Sequence, residues 1–268
     1  MTSFADKVRA MIQHPLFQRS GRNFDRRELI KAANSLGPTM RLLHWAQLQE
    51  TGQIPAFDQN KAENALSGID KYGAPGVEIF MLSHRWLRPS IDVTQSHPDD
   101  SSSSKARAII EFTNWRRRWV QTRHGFVPQL FYWIDYSCLD RRDMANNITM
   151  LPLWVACCER VLCFETDDYH SRAWCRLELL LSHVFGFADH QTVIDPGFRA
   201  QFATEGREQR LILEAPSKGD MTDPIDLDAI RRLEALACSF APRAIDRSTG
   251  KPLEKAAFGN TAVKRFHL

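Results

Sequence analysis

Several motifs that would identify a common enzyme class are missing from the sequence. Neither GxGxxG nor GxxxxGK(S/T) occurs, which argues against nucleotide binding of the Rossmann or P-loop type. Neither GxSxG nor HExxH occurs, which argues against a hydrolase nucleophile elbow and a zinc-protease helix. The six cysteines include no CxxC pair, and the spacing of Cys157, Cys158, Cys163 and His170 fits no standard metal site. We therefore expect no metal.

Long apolar runs and a strong charge of one sign are also missing. No stretch reaches the roughly 18 apolar residues that a membrane-spanning helix needs, and residues 1–17 hold no uninterrupted apolar run of the kind found in secretory signals. The net charge of +3 comes from 35 basic and 32 acidic residues, which is too balanced for a dedicated nucleic-acid binder. We therefore predict a cytoplasmic protein without a membrane or nucleic-acid partner.

The densest basic cluster consists of three consecutive arginines, Arg116, Arg117 and Arg118, between Trp115 and Trp119. On a helix these side chains spread around the cylinder, which favours a solvated helix face. A nucleic-acid-binding patch is the alternative interpretation.

Residues 1–73 have the apolar spacing of helices. Phe4, Val8, Met11 and Ile12 recur at three or four residues, and two further helices are predicted near residues 29–33 and 40–52. Gly52 is expected to end the last of these helices. We predict a helical N-terminal region that packs on the rest of the chain and is available to bind a protein partner.

From residue 77 onward, short apolar runs alternate with amphipathic segments, which predicts an α/β domain over residues 77–245 and a tail over residues 246–268. The expected fold is a doubly wound parallel sheet with helices on both faces. Strands are predicted at residues 77–83, 130–135, 160–165, 192–195 and 210–214, and helices at residues 105–123, 144–158, 173–187 and 228–240. Residues 88–104 are predicted to form a mobile or functional loop.

Polar side chains follow the first three predicted strands. They are Ser83, His84 and Arg85 after the first, Asp135 to Ser137 after the second, and Glu165 to Asp168 after the third. In parallel sheets of this type, ligands bind in the crevice outside the carboxyl ends of the strands. The sequence therefore predicts a site at this edge of the sheet.

The segment that follows the third strand, YHSRAWCRLEL over residues 169–179, resembles the TIR (Toll/interleukin receptor) domain family. Two earlier strands add to the resemblance, because FMLSHR over residues 80–85 and FYWID over residues 131–135 are similar to the first and second TIR strands. Thr166 takes the place of a serine that the family often has before the tyrosine. The resemblance covers residues 77–187 and implies a flavodoxin-like TIR fold.

The resemblance implies an enzyme that cleaves the nicotinamide–ribose bond of NAD⁺, with Glu178 at the position of the catalytic glutamate. It implies no bound cofactor, since NAD⁺ is the substrate, and it implies self-association through TIR-like domains in immunity, toxin or cell-death signalling. One carboxylate suffices to stabilise an oxocarbenium-like sugar. The expected binding residues are Ser83, His84, Arg85, Trp86, Asp135, Thr166, Tyr169 and Trp174, with the tryptophans at the rings of the ligand and Arg85 at its phosphates.

Three alternatives stay open at the level of sequence. Glu178 could be a glutamate in the first turn of a helix, stabilised there by the helix dipole, while His84 and Asp135 could serve only in hydrogen bonding and turn capping. The chain could be a TIR-like signalling or effector module without catalysis. It could also be a nucleoside deoxyribosyltransferase-like enzyme, whose sheet is related and which also uses a glutamate.

Overall fold

The computed structural model describes residues 6, 26–58, 61–73, 76–90, 95–185, 191–194, 210–212, 215–240 and 265–267. These residues form an α/β fold built on a mixed six-stranded sheet with the strand order β2-β1-β4-β3-β5-β6. The strands are β1 (Arg41–His44), β2 (Glu63–Asn64), β3 (Val77–His84), β4 (Gln129–Trp133), β5 (Arg160–Phe164), β6 (Gln191–Ile194), β7 (Arg210–Ile212) and β8 (Arg265–His267).

Nine α-helices are described in these ranges. They are α1 (Arg26–Asn34), α2 (Trp45–Thr51), α3 (Ala65–Tyr72), α4 (Ser104–His124), α5 (Asp135–Cys138), α6 (Met144–Thr149), α7 (Leu151–Cys157), α8 (Ala173–Phe185) and α9 (Asp226–Phe240). Helices α1, α7, α8 and α9 pack one against the next, and α2 packs against α4. The first predicted helix, with Phe4, Val8, Met11 and Ile12, lies outside the described residues, as does most of the predicted tail.

The central strands match the apolar runs that predicted them. β3 pairs in parallel with β4 on one side and β5 on the other, and β5 pairs in parallel with β6. Side chains of β3, β4 and β5 are almost all buried, because a strand in the middle of a sheet covered by helices has no solvent-facing side. The predictions of these strands and of helices α4, α8 and α9 are confirmed within a few residues at each end.

The prediction of an entirely helical N-terminal region is wrong in one segment. Residues 41–44 form strand β1, which pairs antiparallel with β4 and with β2, and helix α2 begins only at Trp45. Apolar residues at 40, 43 and 48 had indicated one continuous helix, but β1 is so short that its period cannot be distinguished from a helical one. Helix α2 ends at Gly52 as predicted, with a φ angle of 64° that favours glycine.

Two further predictions need correction. The helix predicted over residues 144–158 is divided into α6 and α7 at Met150, and Pro152 lies in the first turn of α7, where its missing N–H costs no hydrogen bond. Strand β7 exists as predicted, but it pairs antiparallel with β8 in a separate two-stranded sheet instead of extending the main one. Part of the predicted tail is therefore a strand.

The described part of the long loop before α4 is held by hydrogen bonds. Asp99 accepts hydrogen bonds from the backbone N–H groups of Lys105 (2.9 Å) and Ala106 (2.8 Å), and Asp100 accepts them from Ser102 and Ser104. Two consecutive aspartates therefore cap the first turn of α4. This loop fixes the start of α4 beside the carboxyl end of β3.

The start of α8 is positioned by a close backbone approach. The N–H of Ala173 donates to the carbonyl of Asp220 (3.0 Å), and the N–H of Asp220 donates to the carbonyl of Ser171 (2.7 Å). A Cβ atom on Gly219 would lie 2.6 Å from the backbone nitrogen of Ala173. Only glycine fits here, and the contact sets where α8 presents its side chains to the sheet.

Candidate functional site

The candidate site lies at the carboxyl end of β3, between its two parallel neighbours. The chain passes from β3 to β4 on one side and then to β5 on the other, so the direction of the connections reverses at β3. Crevices form at such points, because consecutive connections leave in opposite directions. The structure brings Ser83 and His84, at the end of β3, together with Asp135 after β4 and Tyr169 and Glu178 after β5, as the sequence predicted.

Ser83, Tyr169 and Glu178 form a buried group that we call the Glu178 cluster. The Ser83 hydroxyl donates to Oε2 of Glu178 at 2.6 Å and lies 2.5 Å from the phenol oxygen of Tyr169. The Glu178 carboxylate also accepts a hydrogen bond from the backbone of His84. Ser83 and Tyr169 are fully buried, and 8% of Glu178 is exposed, so the cluster has almost no contact with solvent.

Burial dominates the protonation of Glu178. Desolvation raises the pKa of Glu178 to about 8, and the negative charge of Asp135 acts in the same direction, whereas the Ser83 hydrogen bond, the Lys105 ammonium and the His84 backbone oppose the rise. The carboxyl is therefore mostly protonated at neutral pH. A cation brought against it would favour the carboxylate, because opposite charges stabilise the ionised form.

The interpretation of Glu178 as a first-turn helix residue is wrong. Helix α8 begins at Ala173 and has no acidic residue in its first turn. Glu178 lies in the second turn and faces β3 through Ser83 instead of facing the backbone N–H groups at the helix start. The helix dipole therefore does not account for a carboxyl at this position.

His84, Trp86 and Asp135 form a second group, the Asp135 cluster. Nε2 of His84 lies 3.1 Å from Oδ1 of Asp135, and the indole N–H of Trp86 donates to Oδ2 at 2.8 Å. The backbone N–H of Tyr136 adds a hydrogen bond of 2.6 Å to Oδ1. Asp135 thus accepts a hydrogen bond from the backbone at the start of α5, where Ile134 is the N-cap residue, and its carboxylate joins the end of β3 to the end of β4.

The two ionisable members of the Asp135 cluster have lowered pKa values. Burial alone would raise the pKa of Asp135, but His84, the Trp86 indole and the Tyr136 backbone together outweigh it and lower the value. Burial and the nearby Lys105 ammonium lower the pKa of His84 despite its contact with Asp135. The cluster therefore consists of a half-buried carboxylate beside a buried neutral imidazole at neutral pH.

Lys105 belongs to the site and was missed in the sequence. Its ammonium group lies 2.9 Å from Nδ1 of His84 and donates to the backbone carbonyls of Arg85 (2.8 Å) and Pro98. The residue is completely buried, and burial lowers its pKa to about 7. A lysine at the start of an amphipathic helix is ordinarily exposed, so its position in the sequence provided no reason to expect Lys105 in the site. The only sequence feature that pointed to it was the pair of aspartates before α4.

Arg85, Thr166 and Asp168 form a third group at the end of β5. Arg85 makes an ion pair with Asp168, and the Thr166 hydroxyl donates to the same carboxylate at 3.0 Å. The side chains of Arg85 and Asp168 are partly exposed. The predicted phosphate ligand Arg85 is therefore paired with a carboxylate, which a phosphate would have to replace.

The Trp174 side chain, predicted to bind the ligand, contacts helix α9. Its indole N–H donates to Oδ2 of Asp226 in α9 at 2.7 Å, and its ring packs against the hydrophobic core. The polar atom of Trp174 is thus committed to the contact between α8 and α9. The structure does not bring it into the Glu178 cluster.

Two of the three arginines in the basic cluster of α4 contact side chains of other elements. Arg116 makes a bidentate ion pair with Glu78 (2.8 and 2.6 Å), and the guanidinium of Arg117 stacks 3.9 Å from the Trp45 ring centroid. Arg116 and Arg117 are thus held against the protein, whereas Arg118 is exposed, so the predicted solvated helix face is confirmed only at Arg118. Within the described residues, no group of three or more His, Cys, Asp or Glu side chains is arranged to hold a metal ion.

Comparisons of the chain with models of protein families, with curated proteins and with solved structures found no match. In the part of the chain that the structure describes, no helix is both long enough and apolar enough to cross a membrane. Function must therefore be argued from the geometry at the end of β3 and from the motifs that lie there.

Proposed function

We propose that the chain is a TIR-like NAD⁺ glycohydrolase in which Glu178 stabilises the ribosyl cation formed when nicotinamide leaves. The observation that carries the proposal is the Glu178 cluster: one carboxyl, held by Ser83 beside Tyr169, at the carboxyl end of the central strand. The three motifs that resemble the TIR family supply Ser83, Asp135 and Glu178, and these are the residues that meet at the crevice.

The strand order supports the finer fold proposal. Strands β4, β3, β5 and β6 lie in the order that a flavodoxin-like, doubly wound sheet has for its first four strands. Strands β1 and β2 extend this sheet at the edge of β4. We take β3 as the first strand of a TIR-like domain and the preceding residues as an addition to it.

The chemistry needs few groups. The bond between C1′ of the ribose and the pyridinium nitrogen breaks, and its electron pair leaves with neutral nicotinamide. Positive charge develops on the ribose as the bond breaks. A carboxylate beside the ribose therefore stabilises the transition state more than it stabilises the ground-state substrate. Water then adds to C1′ and loses a proton, which gives ADP-ribose; attack by a ring nitrogen of the adenine instead gives cyclic ADP-ribose.

The raised pKa of Glu178 fits this role. A carboxyl that is protonated in the empty site avoids the cost of a buried charge, and it ionises when the positive pyridinium ring of NAD⁺ arrives. Ser83 and the His84 backbone remain as donors to the carboxylate that forms. The charge is then present where the positive sugar develops.

The test is release of nicotinamide from NAD⁺ at high protein concentration, where self-association through TIR-like domains is favoured. We expect turnover by the wild type and a loss of about 100- to 1000-fold in Glu178→Gln, as for removal of other transition-state contacts. Glu165→Gln is the matched control, because Glu165 lies at the end of β5, is partly exposed and has its Oε1 3.3 Å from Nε2 of His170.

Other outcomes select the alternatives. NAD⁺ that stays intact while the protein self-associates would indicate a non-catalytic TIR-like module in signalling. Turnover of deoxynucleosides in place of NAD⁺ would indicate a deoxyribosyltransferase-like enzyme. Equal rates for wild type and Glu178→Gln would remove Glu178 from the mechanism.

A further inference from the structure

An aromatic corner lies beside Asp135 and is covered by a single cationic side chain. The rings of Trp86 and Tyr136 meet edge to face with centroids 5.5 Å apart, and His97 meets Tyr136 at 5.0 Å. The guanidinium of Arg141 lies 5.3 Å from the Tyr136 centroid and 5.7 Å from that of Trp86. We call Trp86, His97 and Tyr136 the aromatic corner.

The corner has the chemistry of a site for a flat cation. Aromatic faces attract positive charge through the ring quadrupole, and a delocalised planar cation can lie against a ring without losing a tight hydration shell. The indole N–H of Trp86 is bonded to the Asp135 carboxylate, so a negative charge lies at the edge of the ring. Arg141 is an exposed residue in the short turn after α5, and it supplies a planar cation from the chain itself.

The corner and the Glu178 cluster adjoin the same residue. The His84 side chain contacts Asp135, which holds Trp86, whereas the His84 backbone donates to the Glu178 carboxylate. The charge of Asp135 also acts on Glu178. The corner and the Glu178 cluster are therefore linked through Asp135 and His84.

We propose that the aromatic corner is the subsite for a planar aromatic cation, and that Arg141 is an internal competitor which this cation displaces. The identity of the cation as the nicotinamide ring of NAD⁺ depends on the proposed function. The affinity of the corner for planar cations does not.

Direct binding tests the corner without any turnover. The probe is N1-methylnicotinamide, a planar pyridinium that has no ribose bond to cleave, and neutral nicotinamide is the matched ligand with the same ring. We expect Arg141→Ala to bind the probe about 5- to 30-fold more tightly than the wild type in calorimetry, the gain expected when one cation–π competitor is removed. Neutral nicotinamide lacks the charge that the rings attract, so it should bind much more weakly than the probe to both proteins.

Two control pairs make the result specific. Arg142→Ala removes the same charge from the neighbouring exposed residue, whose guanidinium pairs with Asp140 and not with the rings, and it should bind the probe like the wild type. Tyr136→Phe keeps the ring and should keep binding, whereas Tyr136→Leu removes it and should lose binding.

Three results would overturn the proposal: equal probe affinity in the wild type and Arg141→Ala, weaker probe binding in Arg141→Ala, or nicotinamide binding as tight as that of the probe. Probe binding that follows the predicted pattern while NAD⁺ stays intact would refute the proposed glycohydrolase and leave the cation subsite in place. Nicotinamide release without the predicted pattern of binding would do the reverse.

Discussion

The two carboxyl groups at the end of β3 differ in how the protein treats their charge. Glu178 is almost completely buried, and its pKa rises to about 8 because desolvation outweighs its few donors. Asp135 is half-buried, and contacts with His84, Trp86 and the Tyr136 backbone lower its pKa although burial opposes this. Carboxyl groups whose pKa values are shifted in opposite directions have different roles in catalytic sites. Asp135 is a permanently charged carboxylate, and we propose that Glu178 becomes charged only when a cationic substrate binds.

The largest expected effect concerns the stability of Glu178→Gln. Because the folded-state pKa of Glu178 lies above its unfolded value, the wild type loses stability as pH rises from about 4.5 to about 8. Glutamine keeps the shape without the charge. We expect the variant to be more stable than the wild type by roughly 2–4 kcal/mol at pH 8 and about equal to it at pH 4.5, measured by urea unfolding. A constant difference across this range would contradict the buried, protonated carboxyl.

Asp135→Asn should destabilise the protein, in contrast to Glu178→Gln. It removes a carboxylate that accepts three hydrogen bonds, so we expect a loss of about 1.5–3 kcal/mol near neutral pH. The folded-state pKa of Asp135 is lowered, so its stabilisation is present above the unfolded value of about 3.9 and disappears as pH falls through the folded value. The difference in unfolding free energy between wild type and variant should therefore shrink in acid. A difference that grows in acid would contradict the lowered pKa of Asp135.

Gly219→Ala should disturb the Glu178 cluster more than the Asp135 cluster. The added Cβ would press on the backbone of Ala173 and Ser171 and displace the start of α8, which carries Glu178 but not Asp135. We expect a loss of about 1–3 kcal/mol, typical of overpacking, with lower NAD⁺ cleavage. Gly76→Ala is the matched control, because its Cβ would meet nothing within 4 Å. Equal stability of the two variants would refute this role of the contact.

The smallest effect is a shift in pH dependence. The charge of Asp135 raises the pKa of Glu178, so Asp135→Asn should move the rise of kcat/KM with pH to lower values, provided that the carboxylate form is the active one. Asp140→Asn, in the following turn, removes an equal charge outside the cluster and should leave the profile unchanged. A shift to higher pH in Asp135→Asn would contradict the coupling of the two carboxyls.

The site was more predictable from the sequence than the elements around it. Strands β3, β4 and β5 are apolar runs whose carboxyl ends must meet in a parallel sheet, so Ser83, Asp135 and the region of Glu178 could be placed together. Strand β1 could not be predicted, because its four residues run directly into helix α2 at Trp45 and the apolar spacing across both indicates one helix. Lys105 and the Trp174–Asp226 contact could not be predicted either, since each depends on which residues distant in the sequence fold against it.

The central claim is that Glu178 is protonated in the empty site and ionises when a cationic substrate binds. The direct measurement is a pH titration of glutamate Cδ resonances by ¹³C NMR, with Glu178 assigned as the signal missing from Glu178→Gln, in the presence and absence of a carbocyclic NAD⁺ analogue that cannot form the oxocarbenium ion. We predict a midpoint near 8 in the free protein and a lower midpoint with the analogue bound. A midpoint in the ordinary glutamate range, or one that the analogue leaves unchanged, would contradict the account.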